Sequence, residues 1–347
     1  MGRNHQSTSA TVAILEPGYA TYDAEHAVLA EHDVQIATIG ATETAVPALQ
    51  ALNPVAIMVR ERPVGAAEID ACPNLKIIAR YGVGYDNIDT AYAQTRGIYV
   101  VNIPDYGAER EVSEHAIALY LAVQRRLVTR DGEVRQQHWG IGQAARIPGR
   151  ERAVLGLIGC GKIGIQAATK FRALGFERIS VFDPYLAETV AREHDLDRVD
   201  LNELCEIADV ISLHAPLTAE TRHVLNAERI ALMKPDAIVV NVARGGLVDE
   251  VALATALTEG RIYGAGIDVF EQEPVHPDNP LLSAPNTVLT DHAAWYSERS
   301  VEMLQRKAAE EVSRVLHGKD PINWVNRQPA LPNPSGARLA RPAQTTA

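Results

Sequence analysis

Two patterns alternate along the chain. Short apolar, β-branched runs occur at 11–16 (TVAILE), 34–38 (VQIAT), 55–59 (VAIMV), 76–82 (KIIARYG) and 98–102 (IYVVN). Each is followed by turn residues or by apolar positions at helical intervals, as near 23–31. Strands that alternate with helices in this way predict a parallel sheet. The rhythm resumes with strands expected at 153–159, 178–183, 210–214, 237–242, 263–269 and 287–290. Helices fit between these, notably over 162–174 and 249–259. Val112, Ala116, Leu119, Val123 and Leu127 fall on one helical face, which predicts one long helix over 110–128. After residue 297 an amphipathic stretch predicts a last long helix, with Gly318 as its stop. The polar, glycine-containing segment 130–152 reads as an irregular connection, and the Pro/Ala-rich residues 331–347 as a disordered tail.

Composition narrows the function classes. A chain of 347 residues, 46% apolar and 22% charged, has room for two ordinary globular domains. A net charge of −11 argues against nucleic acid and anionic membrane as direct partners. It leaves room for a small anionic substrate held by a local arginine. Cys72, Cys160 and Cys205 are widely spaced and odd in number, so neither a disulfide framework nor a metal site is expected. There is no long apolar run and no apolar signal core at the start. We therefore expect a cytoplasmic protein.

The sequence VLGLIGCGKIG places Gly159, Gly161 and Gly164 after a strand and at the head of a helix. The first glycine permits a tight turn, the second a close approach of backbone to a pyrophosphate, and the third close packing of helix on strand. The free N–H groups of the helix start would face the phosphates. Asp183 ends the next strand, 19 residues beyond Gly164. A carboxylate there accepts from both ribose hydroxyls and repels a 2′-phosphate, which favours NAD over NADP.

Three residues could serve chemistry on such a cofactor. Arg244 follows a strand and precedes two glycines, where its fork could hold a substrate carboxylate. Glu273 comes shortly after the next strand, and His292 ends the last one. In open α/β sheets ligands gather beyond the carboxyl ends of strands. A carboxylate beside a histidine fixes its tautomer and favours the imidazolium that protonates a carbonyl oxygen. Taken singly, each residue also fits a surface ion pair or a strand-end cap.

These motifs carry a resemblance. CPNLKIIARYGVGYDNIDTAYAQTRGIYVVNIP, GLIGCGKIG, LHAPLTAETRHVLNAERIALMKPDAIVVNVARGGLVDE and GAGIDVFEQEPV together resemble the D-2-hydroxyacid dehydrogenases, over about residues 50 to 325. The resemblance implies an α/β fold of two Rossmann-like/flavodoxin-like parallel-sheet domains with a cleft between them. It implies a discontinuous substrate domain, 1–103 plus 298–330, and an inserted NAD-binding domain, 104–297. It makes Arg244 the carboxylate binder, Glu273 the partner of the histidine and His292 the acid/base. Val83 and Gly84 would offer amides to the substrate. Lys162, Ile163, His214, Pro216, Thr221 and Val242 would line the cofactor beside the three glycines and Asp183, with Asp268 near the nicotinamide carboxamide. A homodimer built on the 110–128 helix is also implied.

The stretch TDHAAWYSERS departs from the commoner members, which carry small residues after the histidine. Trp295 and Arg80 resemble the branch of C-terminal binding proteins, dehydrogenase-fold transcriptional co-repressors. There the tryptophan lines the substrate pocket and the arginine reaches the substrate. Trp295 is thus either a pocket wall or interdomain packing. Two functions follow: NAD-dependent reduction of a 2-oxo acid to a D-2-hydroxy acid, or an NAD(H)-sensing dimeric scaffold.

Overall fold

The computed structural model describes residues 10–15, 18–140 and 146–327. The expected tail 331–347 lies outside them. The chain divides into two compact units, Met1–Tyr106 with Val301–Ala347, and Gly107–Ser300.

The first unit carries a five-stranded parallel sheet. Its strands are β1 (Ala10–Leu15), β2 (Val34–Ile39), β3 (Ala56–Val59), β4 (Ile77–Arg80) and β5 (Tyr99–Val101), in the order β2-β1-β3-β4-β5. Every residue of β3 and β4 is buried, as expected for sheets covered on both faces. The C-terminal segment joins this unit through polar groups that seek partners. Buried Glu25 accepts from Tyr81 Oη at 2.7 Å and from Gln305 Nε2 at 3.1 Å. Burial raises its carboxyl above the ordinary value. Glu311 accepts from the Ile322 and Asn323 amides at 2.8 and 2.9 Å.

The second unit carries seven parallel strands. They are β6 (Val154–Ile158), β7 (Arg178–Phe182), β8 (Asp197–Arg198), β9 (Val210–Leu213), β10 (Ile238–Asn241), β11 (Gly264–Ile267) and β12 (Thr287–Leu289), in the order β12-β11-β10-β9-β6-β7-β8. The order runs outward both ways from β6, so a topological switch point lies between β6 and β9. Two glycines explain how the helix Ala108–Gln124 lies on this sheet. A Cβ at Gly264 would stand 2.5 Å from Val123 Cγ1, and one at Gly266 2.7 Å from Leu119 Cβ.

Two expectations need correction. The helix expected over 110–128 ends at Gln124, because Arg126 takes a left-handed φ of 54°. A second helix, Leu127–Arg135, then occupies part of the segment read as irregular. It buries none of its residues, so no apolar stripe marks it in the sequence. The last helix runs Glu298–Leu316, with Gly318 at φ 71° beyond its end. Among the described residues no helix is long and apolar enough to cross a membrane.

Candidate active site

The glycine loop follows β6 at the switch point. Gly159 has φ 86°, and a Cβ there would lie 2.7 Å from the Ala215 backbone nitrogen. A side chain at Gly164 would meet the Gly159 carbonyl at 2.8 Å. These two glycines are therefore required by packing. Gly161 is different: a Cβ there meets nothing within 4 Å. Its backbone faces open space at the head of the helix Lys162–Ala173. Lys162 and Ile163 form the first turn, whose N–H groups have no intrahelical acceptors. That cradle fits a dinucleotide pyrophosphate.

Asp183 follows β7 and accepts from the Cys160 amide and the Tyr185 amide, each at 2.8 Å. One bond to each carboxylate oxygen leaves acceptor capacity for ribose hydroxyls. It also fixes the carboxylate against the loop. The neighbouring Cys160 is buried, and burial pushes its thiol up to about 12. The remaining proposed cofactor residues follow β9 and β10. His214 Nε2 lies 2.9 Å from Ser212 Oγ, and burial pushes the ring down to about 4, so it is neutral near pH 7. Thr221 Oγ1 donates to the Pro216 carbonyl at 2.7 Å, which closes the loop after β9. Val242 is buried just past β10.

The sheet register brings the chemistry-bearing segments together. Asn241 of β10 pairs with Ile267 of β11, and Ile267 with Leu289 of β12. Arg244 and His292 each stand three residues past these aligned positions. Neighbouring strands lie about 4.8 Å apart, so the two chain exits are separated by roughly 10 Å. Between them runs the segment carrying Glu273. A Cβ at Gly245 would fall 1.9 Å from the Phe270 carbonyl carbon, so only glycine after Arg244 lets that segment cross. Glu250 fastens the crossing by accepting from the Glu271 amide at 2.8 Å and Asn279 Nδ2 at 2.6 Å.

His292 Nδ1 donates to Glu273 Oε2 at 2.7 Å, while Glu273 Oε1 accepts from the Phe270 amide at 3.0 Å. His292 is half-buried, and Glu273 is open to solvent. His292 adopts a left-handed φ of 58°, uncommon for a residue with a Cβ. Asp268 explains how this backbone is held. It is wholly buried, and its main-chain carbonyl accepts from the His292 amide at 2.7 Å. Its carboxylate accepts from Thr290 Oγ1 at 2.6 Å and from the Ala293 and Ala294 amides at 2.9 and 3.0 Å. His115 Nε2 in turn lies 3.0 Å from Thr290 Oγ1. Sequence reading did not single out Thr290 or His115. Thr290 carried only its place at the strand end as a signal, and His115, 175 positions away within a helix, carried none.

Arg244 Nη1 donates to the Ala243 carbonyl at 2.8 Å, and Asn241 Nδ2 donates to the Arg244 carbonyl at 2.9 Å. Trp295 meets Tyr296 edge-on, ring centroids 5.9 Å apart at 80°, and its carbonyl accepts from Ser300 Oγ at 2.7 Å. Arg80, Val83 and Gly84 belong to the five-stranded unit. Arg80 is 5% exposed, with Nη2 on Glu61 Oε1 and Nη1 on the Tyr81 carbonyl, both at 2.8 Å. A substrate group at Arg80 would have to compete with Glu61. The Val83 carbonyl accepts from Asn102 Nδ2 at 2.6 Å.

A glycine loop at the switch point, an acidic residue after the second strand and a His–Glu pair beyond the last strand are the features expected of a nicotinamide-dinucleotide oxidoreductase. Comparison with known proteins makes this specific. The model of the D-isomer specific 2-hydroxyacid dehydrogenase, NAD binding domain, matches residues 117–294. A glyoxylate reductase of Korarchaeum cryptofilum is 40% identical over 280 residues, 79% of this chain and 83% of that one. A D-3-phosphoglycerate dehydrogenase of Methanocaldococcus jannaschii is 42% identical over 274 residues, but the match spans only 51% of its length. Among solved structures, D-lactate dehydrogenase from Aquifex aeolicus, complexed with NAD and lactic acid, superposes with a TM-score of 0.79. It is 29% identical, over 88% of this chain and 96% of that one. An NADPH-dependent glyoxylate/hydroxypyruvate reductase from Sinorhizobium meliloti gives 0.78 at 30% identity, over 93% of this chain and all of that one. The chain belongs to the D-isomer-specific 2-hydroxyacid dehydrogenase family.

Proposed function

We propose that the protein reduces a 2-oxo acid to its D-2-hydroxy acid with NADH, using Arg244, Glu273 and His292. The observation that carries this reading is the 2.7 Å bond from His292 Nδ1 to Glu273 Oε2. With Nδ1 committed to a carboxylate, Nε2 is the nitrogen left to deliver a proton. Glu273 fixes the tautomer and orientation of the ring. Arg244, on the parallel exit from β10, holds the substrate carboxylate by its fork. When bound, the dinucleotide supplies the hydride that C2 of the substrate accepts. His292 gives its proton to the carbonyl oxygen, and the hydroxyl is formed. Asp183 disfavours a 2′-phosphate by charge and by its fixed position.

The relatives act on small 2-oxo or 2-hydroxy acids by name, and the same class is proposed here. Trp295 stands three residues past the acid/base. A flat aromatic wall there favours an apolar or thioether tail over glyoxylate. The test is NADH oxidation by the full chain against glyoxylate, hydroxypyruvate, pyruvate, phenylpyruvate and 4-methylthio-2-oxobutyrate. We expect turnover that Arg244→Ala abolishes. Tight NADH binding with negligible turnover on every acid would instead favour the NADH-sensing scaffold of the co-repressor type.

A further inference from the structure

A second cluster of ligating side chains lies wholly in the five-stranded unit. Glu31 and His32 follow the helix Asp23–Leu29, and Ser313 and His317 mark the end of the helix Glu298–Leu316. One carboxylate oxygen and one ring nitrogen from each histidine lie within 4.8 Å of one another. His32 Nε2 is 3.7 Å from Glu31 Oε1, and His317 Nδ1 is 3.9 Å from the same oxygen. Ser313 Oγ sits among them, 2.9 Å from His32 Nε2, 3.1 Å from Glu31 Oε1 and 3.5 Å from His317 Nδ1. The two imidazoles face each other edge-on with centroids 4.4 Å apart.

We propose that Glu31, His32 and His317 form a binding site for a divalent transition metal of the zinc class, outside the reductase site and independent of that reading. Two imidazoles and one carboxylate are a donor set suited to such an ion, with a fourth position for Ser313 or water. Bonds of about 2.1 Å in tetrahedral array keep ligand atoms about 3.4 Å apart. The observed separations of 3.7 and 3.9 Å must close by a few tenths of an ångström, and His317 Nδ1, now 3.1 Å from the Ser313 carbonyl, must exchange that bond for the ion. The last carbonyls of the 19-residue helix Glu298–Leu316 add partial negative charge where the ion would sit. Access is provided. His32 is 11% exposed and anchored, whereas Glu31 and His317 are 59% and 44% exposed. Glu31, Ser313 and His317 also line a cavity of about 720 Å³. An ion here would staple the last helix to the end of the helix Asp23–Leu29, segments more than 280 residues apart in sequence.

The test uses the full chain, free of any affinity tag and stripped with chelator. It is titrated with Zn2+ by calorimetry and with Co2+ by visible absorption. We expect one ion per chain, a four-coordinate Co2+ spectrum, and a thermal midpoint that rises with Zn2+. His317→Gln and Glu31→Gln, both at partly exposed positions, should each weaken binding at least about ten-fold and remove the thermal shift. His32→Ala should do the same. His292→Asn, which alters the His292–Glu273 pair of the seven-stranded unit, should leave the titration unchanged. No stoichiometric binding would overturn the proposal. So would binding that survives His317→Gln and Glu31→Gln, or that His292→Asn abolishes.

Discussion

Asp268 holds His292 by the backbone: its carbonyl accepts the His292 amide at 2.7 Å, and its buried carboxylate takes the next two amides. The proposed acid/base is thus presented from a left-handed residue whose turn is fastened by a carboxylate beneath it. An asparagine at 268 cannot accept from all the donors that the carboxylate satisfies. Asp268→Asn should lose about 1–3 kcal/mol of stability, as for a buried group left unsatisfied. It should also lower kcat more than it raises KM. Thermal unfolding and steady-state kinetics on the same preparation check both. A variant with wild-type kcat would show that the turn holds itself.

Glu273 accepts from His292 Nδ1 at 2.7 Å and so fixes the orientation and tautomer of the ring. The amide of Glu273→Gln can donate as well as accept, so it no longer enforces that arrangement. kcat should drop by about ten- to a hundred-fold while NADH still binds. Steady-state kinetics with one 2-oxo acid and a nucleotide titration measure this. A wild-type kcat would mean that Glu273 does not position the histidine.

Asp183, the proposed partner of the adenosine ribose, is fixed by the Cys160 and Tyr185 amides. Asp183→Ser should weaken NADH and relieve the repulsion of a 2′-phosphate. The ratio of dissociation constants for NADPH and NADH should shift toward NADPH by about ten-fold or more. Fluorescence titration with both nucleotides reads that ratio directly.

His214 links the fold to pH. Burial holds the ring near 4, below the 6.5 of an exposed histidine, so the folded protein prefers it neutral. Its contribution to stability is complete above about pH 6.5 and is lost as pH falls toward 4. A difference of this size is worth on the order of 3 kcal/mol at most. Urea unfolding of the dinucleotide-free protein should therefore weaken more steeply over this window than that of His214→Asn. Parallel curves for the two proteins would remove His214 as the cause.

Much of this architecture was legible in sequence because buried parallel strands are runs of apolar residues. β3 (AIMV) and β10 (IVVN) show it, every residue being buried. β8 was not legible. It is two exposed polar residues at a sheet edge, Asp197 and Arg198, and neither periodicity nor burial marks them. The helix Leu127–Arg135 was hidden for the same reason. Glu273 and His292 could be picked out as candidates because each follows a strand end. What tightens the site came from elsewhere. Gly245 is demanded by the crossing Phe270 backbone, and Asp268 is demanded by the turn after β12. Both are three-dimensional constraints between segments that a one-dimensional pattern does not pair.

The proposed reduction transfers hydride to C2 of a 2-oxo acid, with proton delivery from His292. The direct measurement is reduction of the best substrate with NADH deuterated at the nicotinamide C4. The product is then examined by mass spectrometry and chiral chromatography. We expect deuterium at C2 of a D-2-hydroxy acid, with product formation lost in His292→Asn while NADH still binds. A product of the opposite configuration, or undiminished turnover in His292→Asn, would contradict the account.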